Sequence, residues 1–258
     1  MLPLNMVLPF LLALLLCAAG LSMMAGDAPI TALDIGHWLA GTGAAMPDMI
    51  LAEIRAPRVV LAAFTGFVLG LAGAAVQAFL RNPLAEPSLL GASNCSALGA
   101  VIVIYLGLSG TLSYSVPVAA CISALLSVLL LLAFAGRGVS SLQLILAGFA
   151  VSALAGAGIS LVLNLALNPF AALEIAFWLL GGVENRNWNH VYLALPGGVL
   201  GCVLLLFRAR ALDALVLEED VARSLGANLS IMRLRLTLGL ALAVGSVVAV
   251  TGVIGFVG

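Results

Sequence analysis

Long apolar runs separated by short polar stretches make up most of this chain of 258 residues. A helix needs about 20 mainly apolar residues to cross the hydrocarbon core of a bilayer. Seven runs approach or reach that length, at residues 4–25, 59–80, 93–108, 114–135, 142–167, 191–207 and 234–250. The pattern predicts an all-α, polytopic membrane protein with about seven transmembrane helices, in a single domain over residues 1–258.

Some positions within and between these runs predict how the helices pack and end. Gly66, Gly70 and Gly73 form a stripe of small residues of the kind that lets helix backbones approach closely in lipid. A short interfacial helix is predicted at 171–180, with Trp178 and Trp188 as residues of the interfacial belt, since tryptophan is enriched at membrane interfaces. Gln77 and Asn164 lie inside apolar runs, where we predict that they form hydrogen bonds between helices, with contact to a substrate as the alternative.

The segment 81–91 breaks the pattern between the second and third runs. A proline pushes the preceding residue out of helical geometry, so Pro83 predicts the end of the second helix. Pro83 and Pro87 restrict the backbone, and Glu86 is placed to cap the helix that follows. We therefore predict a structural role for this segment on the cytoplasmic side.

The segment 208–235 is the most charged part of the chain and holds nine of the 21 charged residues of the whole chain. Within it, residues 217–226 have acids at the start, Arg223 near the end and Gly226 after it, which is typical of a short helix. Leu217, Val221 and Leu225 recur every four residues and form an apolar stripe. Two alternatives stay open on pattern alone: the stripe packs on the protein's own helices, or a partner buries it.

Composition supports a membrane protein and excludes several functions. Charged residues make up 8% of the chain, against about 25% in soluble domains. A net charge of −1 disfavours nucleic-acid binding, which needs a basic surface. The chain has ten arginines and no lysine, so it has neither a P-loop nor a Schiff-base lysine. The four cysteines and two histidines are scattered, which predicts no metal site and no cofactor bound by this chain.

Arginine placement predicts the orientation. If the N-terminus is cytoplasmic and the runs alternate, seven arginines lie inside and three outside, as the positive-inside rule requires. The loop 208–235 is then cytoplasmic. Only Glu174 among the carboxylates comes near an apolar run, whereas ion-driven carriers usually keep ionisable groups inside their spans. The chain therefore fits transport driven by an external energy source better. A secondary carrier or exporter without an ATPase is the alternative function, and an intramembrane protease is a weaker alternative.

Four stretches of the chain carry motifs: Arg55-Ala56-Pro57-Arg58, the stretch RNPLAEPSLLGASNCSALGA at 81–100, residues 144–153 with 177–191, and residues 214–226 followed by GVIGFVG at 252–258. Together they resemble the FecCD-type permeases, the membrane subunits of ABC importers for iron chelates, haem and cobalamin. Family members have about ten spans in a type II importer permease fold and continue past the last motif. The resemblance thus implies that C-terminal helices are missing here and that the sequence is truncated.

The resemblance also implies the function and the partners. The chain would be a transport subunit rather than an enzyme, moving a siderophore, haem or cobalamin across the inner membrane by alternating access. A second permease copy or a paralogue would complete the pathway. An ATPase subunit, which holds Mg-ATP, would dock in the cytoplasm, and a periplasmic or lipid-anchored substrate-binding protein would dock outside.

Site residues follow from the same resemblance. Arg55 and Arg58 would pair with carboxylates of the binding protein, the alternative being that they only anchor a helix end. Ser140, Ser141 and Leu142 match a cytoplasmic gate, with an ordinary polar turn as the alternative. Structural signature positions are Asn82, Pro83, Glu86, Pro87 and Gly91. The residues that would dock on the ATPase are Leu215, Leu217, Glu219, Val221, Ala222, Arg223, Leu225 and Gly226.

Overall fold

A computed structural model describes residues 4–110, 114–135, 141–166, 168–207 and 229–254, and every regular element among them is helical. The α-helices are α1 (Leu4–Met24), α2 (Ala32–Leu39), α3 (Ala45–Met49), α4 (Ala56–Leu80), α5 (Ala92–Tyr105), α6 (Ser115–Ala135), α7 (Ser141–Leu165), α8 (Pro169–Leu180), α9 (Trp188–Leu206) and α10 (Leu229–Thr251). A π-helical segment, Ile50–Arg55, joins α3 to α4, and 3₁₀ turns lie at Pro87–Leu90 and Leu108–Gly110. The all-α fold class is confirmed.

Six helices in the described part of the chain are long and apolar enough to cross a membrane. They are Met6–Met24, Ala45–Leu80, Ser115–Phe134, Gln143–Leu165, Trp188–Leu206 and Ser230–Thr251. The third predicted span corresponds to α5, which has 14 residues and is therefore about 21 Å long. That is short of the roughly 30 Å hydrocarbon core, so the third span needs the 3₁₀ turn Pro87–Leu90 before α5 as well as α5 itself.

The chain forms two compact units. The first consists of Met1–Phe64 with Val183–Val191, and the second of Thr65–Gly182 with Tyr192–Gly258. Helices α4 and α9 contribute residues to both.

Small side chains at helix crossings form the core of the second unit. Ala92 packs with Val128 and Ala241, and Ala100 packs with Ala120 and Ala249. These clusters join α5, α6 and α10. In lipid, where apolar burial drives association weakly, close packing of small residues is a principal source of helix–helix attraction.

Glycines bring several of these helices close together, but Gly66 and Gly70 of the predicted stripe are not among them, whereas its third glycine, Gly73, is buried. A Cβ added to Gly99 would lie 2.6 Å from the carbonyl oxygen of Ala119, and one added to Gly245 would lie 2.5 Å from the Cβ of Ala124. Gly66 and Gly70 of α4 are exposed, and no described atom comes within 4 Å of an added Cβ. The predicted close approach along Gly66 and Gly70 is therefore wrong for the described residues.

The first unit contains helical structure where the sequence predicted only a polar stretch. From Ala45 to Leu80 the helix is continuous over 36 residues, and its π-helical segment has a local cause. The Ala56 N–H bonds to the carbonyl of Leu51, five residues back, and in the same register residue 57 would bond to Ala52. Pro57 has no N–H, so the carbonyl of Ala52 loses its partner within the helix.

The indole of Trp188 supplies the missing donor. Its Nε1–H donates to the carbonyl oxygen of Ala52 at 2.8 Å, across 136 positions of sequence. Trp188, predicted as an interfacial tryptophan, is half-buried and ties the start of α9 to the π-helical segment.

Replacing Trp188 with phenylalanine is expected to lower the free energy of unfolding by about 1–2 kcal/mol, because the partly buried carbonyl of Ala52 loses the indole donor. The check is the midpoint of thermal unfolding in detergent. Trp38→Phe is the control, since Trp38 is half-buried in the same unit and its indole makes no hydrogen bond within the described residues. Equal losses in both variants would mean that ring packing rather than the hydrogen bond sets the effect.

Candidate functional site

The signature segment after α4 is a turn with exposed and buried halves. Arg81 has a φ of 49° and ends α4. The side-chain oxygen of Asn82 then accepts a hydrogen bond from the N–H of Leu84 at 3.0 Å. Asn82, Pro83 and Leu84 are exposed, whereas Ala85 and Pro87 are buried. The first half of the segment therefore exposes its side chains at the surface, and the second half is packed inside the protein.

Glu86 occupies the position before the 3₁₀ turn, as predicted, but its side chain makes no capping hydrogen bond. Pro87 follows it at the first position of the turn and has no N–H to cap. The predicted capping role of Glu86 is therefore wrong. Its backbone carbonyl instead accepts the N–H of Leu89 at 3.1 Å.

The 3₁₀ turn packs against α7 well inside the membrane-spanning part of that helix. A Cβ on Gly148 would lie 2.7 Å from the carbonyl oxygen of Leu89 and 2.9 Å from the Cα of Leu90. Gly148 lies about 10 Å along α7 from Ser141. Non-helical backbone at this depth is tolerated only where protein buries it, and Leu90 and Gly91 are buried.

Gly91 starts α5 with a left-handed φ of 82°, a conformation that favours glycine. A Cβ there would lie 2.8 Å from Cγ1 of Val151. The predicted structural role of Pro87 and Gly91 thus has a physical basis: they let α5 begin partway along α7.

A row of small and polar residues runs along α7. Ser152, Gly156, Ser160 and Asn164 are spaced by four, so each lies next to the one before it along the helix, in a row that turns gradually from the side of Ser152 to an exposed side at Asn164. Ser152 accepts a hydrogen bond from the side-chain amide of Asn94 on α5. Ser160 and Asn164 are exposed and bond to carbonyls of their own helix, Ser160 to Gly156 at 3.1 Å and Asn164 to Ser160 at 2.8 Å. We call these four residues and Asn94 the polar face.

The contacts of the polar face correct the prediction for Asn164. The sequence did not lead us to predict these five residues as a group. The amide of Asn164 bonds within α7, so the predicted interhelical hydrogen bond is wrong for the described residues. The interhelical bond is made by Asn94 and Ser152, which the sequence analysis did not single out. The spacing of four in an otherwise apolar helix was the signal that could have identified it.

The two predicted outer arginines have different environments. Arg55 is only 5% exposed, and its guanidinium donates to the carbonyl oxygens of Met23 at 2.6 Å and Ala28 at 2.5 Å. This geometry matches the anchoring alternative for Arg55. Arg58 is half-buried, with an Nε that has no hydrogen-bond partner and no ion pair within the described residues.

Arg186 in the segment before α9 resembles Arg58. It is half-buried, its Nε also has no described partner, and burial lowers the pKa of its guanidinium. The first unit therefore contains two arginines, Arg58 and Arg186, with unused hydrogen-bonding capacity.

Most of the predicted ATPase-docking and gate residues lie outside the described part of the chain. These are Leu215, Leu217, Glu219, Val221, Ala222, Arg223, Leu225, Gly226 and Ser140. For Ser141 and Leu142 the structure describes only the backbone, at the start of α7.

The two helices that flank the charged segment are joined near its ends. The guanidinium of Arg235 on α10 lies 5.4 Å from the ring centroid of Phe207, which follows α9. Such a cation–π contact is worth about 0.5–1 kcal/mol at an exposed site. Further along, a Cβ on Gly201 would lie 2.7 Å from the Cα of Ala243. Helices α9 and α10 thus form a closely packed pair.

The start of the last motif is also tightly packed. Gly181 and Gly252 have φ values of 64° and 75°, and the N–H of Gly182 donates to the carbonyl of Thr251 at 2.7 Å. Positive φ favours glycine, which explains the glycine that opens GVIGFVG. Residues 255–258 of that motif lie outside the described residues.

Comparison with known proteins identifies this arrangement. The sequence model of the FecCD transport family matches residues 11–258. The chain belongs to the FecCD transport family. The predicted resemblance is therefore confirmed, and the protein is an ABC transporter permease and a multi-pass membrane protein.

Individual relatives of this FecCD permease agree. It is 38% identical over 250 residues to YvrB of Bacillus subtilis, an uncharacterized ABC transporter permease, covering 93% of this chain and 70% of YvrB. It is 36% identical to the hemin transport permease HmuU of Yersinia pestis, covering 98% and 76% of the two chains. It is 32% identical to the vitamin B12 import permease BtuC of Salmonella typhi, covering 95% and 72%.

The fold of the FecCD permease matches a solved structure as well. That structure shows an inward-facing conformation of a candidate metal-chelate type ABC transporter, with a TM-score of 0.87 and 26% identity. The match covers 97% of this chain and 77% of the solved chain. Members of this family work in general with an ATPase, a substrate-binding protein and a second permease.

Proposed function

We propose that this chain is the permease subunit of an ATP-driven importer that carries an iron chelate, haem or cobalamin across the inner membrane by alternating access. The polar face of α7 is the observation that carries the proposal. The names of the hemin and vitamin B12 relatives, and the metal-chelate transporter of similar fold, support the substrate class.

The polar face is suited to line a pathway. An asparagine side chain has two N–H donors and a carbonyl oxygen, and Asn164 uses one N–H for the carbonyl of Ser160. Its remaining capacity has no partner within the described residues. Leaving such groups against hydrocarbon is costly, so the face is suited to water and substrate between two permease copies.

The packed pair of α9 and α10 is suited to transmit motion. The segment 208–228 connects the two helices, and we propose that its stripe Leu217, Val221 and Leu225 docks on the ATPase in the cytoplasm. Nucleotide-driven closure of the ATPases would shift the segment. Because close-packed helices move as bodies rather than deform, the shift would rotate the pair and open one gate while closing the other.

The outer contact is proposed for Arg58, with Arg55 as the anchor behind it. A half-buried guanidinium with free capacity can bind a carboxylate of the substrate-binding protein through two hydrogen bonds. The N-terminus would then be cytoplasmic, in agreement with the distribution of arginines. Ser140, Ser141 and Leu142 remain proposed as a cytoplasmic gate at the start of α7.

Docking of the 208–228 segment is tested by co-purification with candidate ATPase subunits. Leu217→Asp and Gly226→Asp are expected to abolish co-elution on size exclusion, because a charge enters the apolar stripe and a side chain enters the proposed helix end. Asn189→Asp is the control, since Asn189 is exposed at the opposite end of α9. Co-elution of all variants like wild type would contradict the docking proposal.

A further inference from the structure

The segment from Thr31 to Ile50 reverses the arrangement expected of a surface in water. Four large apolar side chains point outward: Leu33 is 74% exposed, Leu39 74%, Met46 77% and Met49 65%. The two carboxylates of the same segment, Asp34 and Asp48, are only partly exposed. Large apolar side chains that are more exposed than the carboxylates beside them are the pattern of a surface that is covered by something apolar.

The outward side of α2 carries no charged side chain. Its exposed residues are Ala32, Leu33, Gly36, His37 and Leu39, whereas Asp34, Ile35 and Trp38 are partly covered. The helical period puts the exposed residues on one side. The exposed side of α2 therefore carries Leu33 and Leu39, with His37 as its polar side chain, while Asp34 lies on the covered side.

The carboxylate of Asp34 is held at the start of α2 by local bonds. Its Oδ2 accepts from the N–H of Thr31 at 2.8 Å and from the hydroxyl of Thr31 at 2.6 Å. The Thr31 hydroxyl in turn accepts from the N–H of Asp34 at 3.3 Å. These bonds lower the pKa of Asp34, and they keep its charge away from the apolar side.

The position of α2 along the chain indicates what covers it. Helix α1 ends at Met24 and is the membrane-spanning candidate with none of its length buried within the described residues, which leaves its apolar surface open to a bilayer. Helix α2 begins eight residues later, at Ala32. Arg55 binds the carbonyls of both Met23 and Ala28, which holds the connection close to the end of α1.

We infer that α2 and α3 lie in the headgroup region of the bilayer, with Leu33, Leu39, Met46 and Met49 inserted toward the acyl chains. The segment follows the membrane-spanning α1 after a short connection that Arg55 holds, and a helix with exposed apolar side chains binds a membrane interface in this way. The bilayer is thus a partner of this region as well as of the spanning helices. The segment anchors the outer end of α1 and of the helix that starts at Ala45.

Spin-label accessibility tests the inference in reconstituted protein. Cys17, Cys95, Cys121 and Cys202 are replaced by alanine, and single nitroxides are attached at Leu33→Cys, Leu39→Cys or Met46→Cys in phosphatidylcholine–phosphatidylglycerol liposomes. Leu12→Cys, on exposed α1, is the bilayer reference, and Glu184→Cys, exposed in the same unit, is the aqueous reference. Relaxation by oxygen reports lipid, and relaxation by a water-soluble nickel chelate reports water.

The ratio of oxygen to nickel accessibility is expected to be several-fold higher at the three sites than at Glu184, and no higher than at Leu12. A ratio equal to that at Glu184 would overturn the inference, because the segment would face water. Immobilised labels shielded from both reagents would also overturn it, because protein would then cover the surface.

A second measurement, which keeps the cysteines, tests the inference if the protein without its four cysteines fails to fold. A photoreactive benzoylphenylalanine is introduced in place of Leu33, or of Glu184 as the control, with all four cysteines kept. Illumination in the same liposomes is expected to give lipid adducts at Leu33 and not at Glu184. Protein crosslinks alone, or no adduct at Leu33, would contradict the inference.

Discussion

Gly148→Ala is expected to lower the thermal unfolding midpoint of the protein in detergent, whereas Gly156→Ala is expected to leave it unchanged or raise it. Both glycines lie on α7, and the two substitutions add the same methyl group. At Gly148 the methyl carbon would lie 2.7 Å from the carbonyl oxygen of Leu89 and 2.9 Å from the Cα of Leu90. Both neighbours are backbone, so the signature turn itself must move.

The two substitutions are expected to change the free energy of unfolding in opposite directions. Overpacking a filled site costs about 1–3 kcal/mol, which should dominate at Gly148. At Gly156 no described atom lies within 4 Å of the added carbon, so only the helix propensity changes, by up to about 1 kcal/mol in favour of alanine. If both variants shift the midpoint in the same direction, the turn does not pack on α7 as described.

Arg55→Ala is expected to destabilise the protein by about 3 kcal/mol, because hydrogen bonds that involve a charged group contribute about 1.5–3 kcal/mol each. Two carbonyl oxygens, of Met23 and Ala28, lose their donor, and the connection between α1 and α2 loses its anchor. Arg55→Lys should recover only part of the loss, since an ammonium lacks the fork that reaches both carbonyls.

Arg58→Ala is the matched control for Arg55→Ala. Arg58 lies three residues further along the same continuous helix and makes no ion pair within the described residues. Its removal should change the unfolding midpoint in detergent much less than removal of Arg55. A larger loss at Arg58 than at Arg55 would show that the anchor has been assigned to the wrong arginine.

These two predictions also separate structural from functional roles in the signature motifs. Arg55 and Arg58 belong to one short motif. The guanidinium of Arg55 donates hydrogen bonds to two carbonyls of the protein, whereas the Nε of Arg58 has no hydrogen-bond partner within the described residues. In the same way, Pro87 and Gly91 pack while Asn82 and Pro83 are exposed. A motif therefore mixes residues that build the scaffold with residues left available for partners.

Much of the architecture was predictable because its causes are local. An apolar run long enough to span a bilayer forms a helix wherever it lies, and the predicted runs correspond to α1, α4, α5, α6, α7, α9 and α10. Pro83 predicted the end of α4 for a local reason too. The helical segment before α4 was missed because Pro57 and the charged residues around it favoured a polar loop, whereas a π-helical register accommodates the proline.

By itself, then, the sequence determined the fold class, the placement of the spanning helices and the family, since these depend on composition and on short motifs. Only the tertiary structure decided which glycines are closely packed, which arginine is buried and which polar groups share the face on α7. The physical reason is that these properties depend on neighbours far away in the chain. Arg55 reaches the carbonyl of Met23 across 32 positions, and Trp188 reaches Ala52 across 136, which no local pattern encodes.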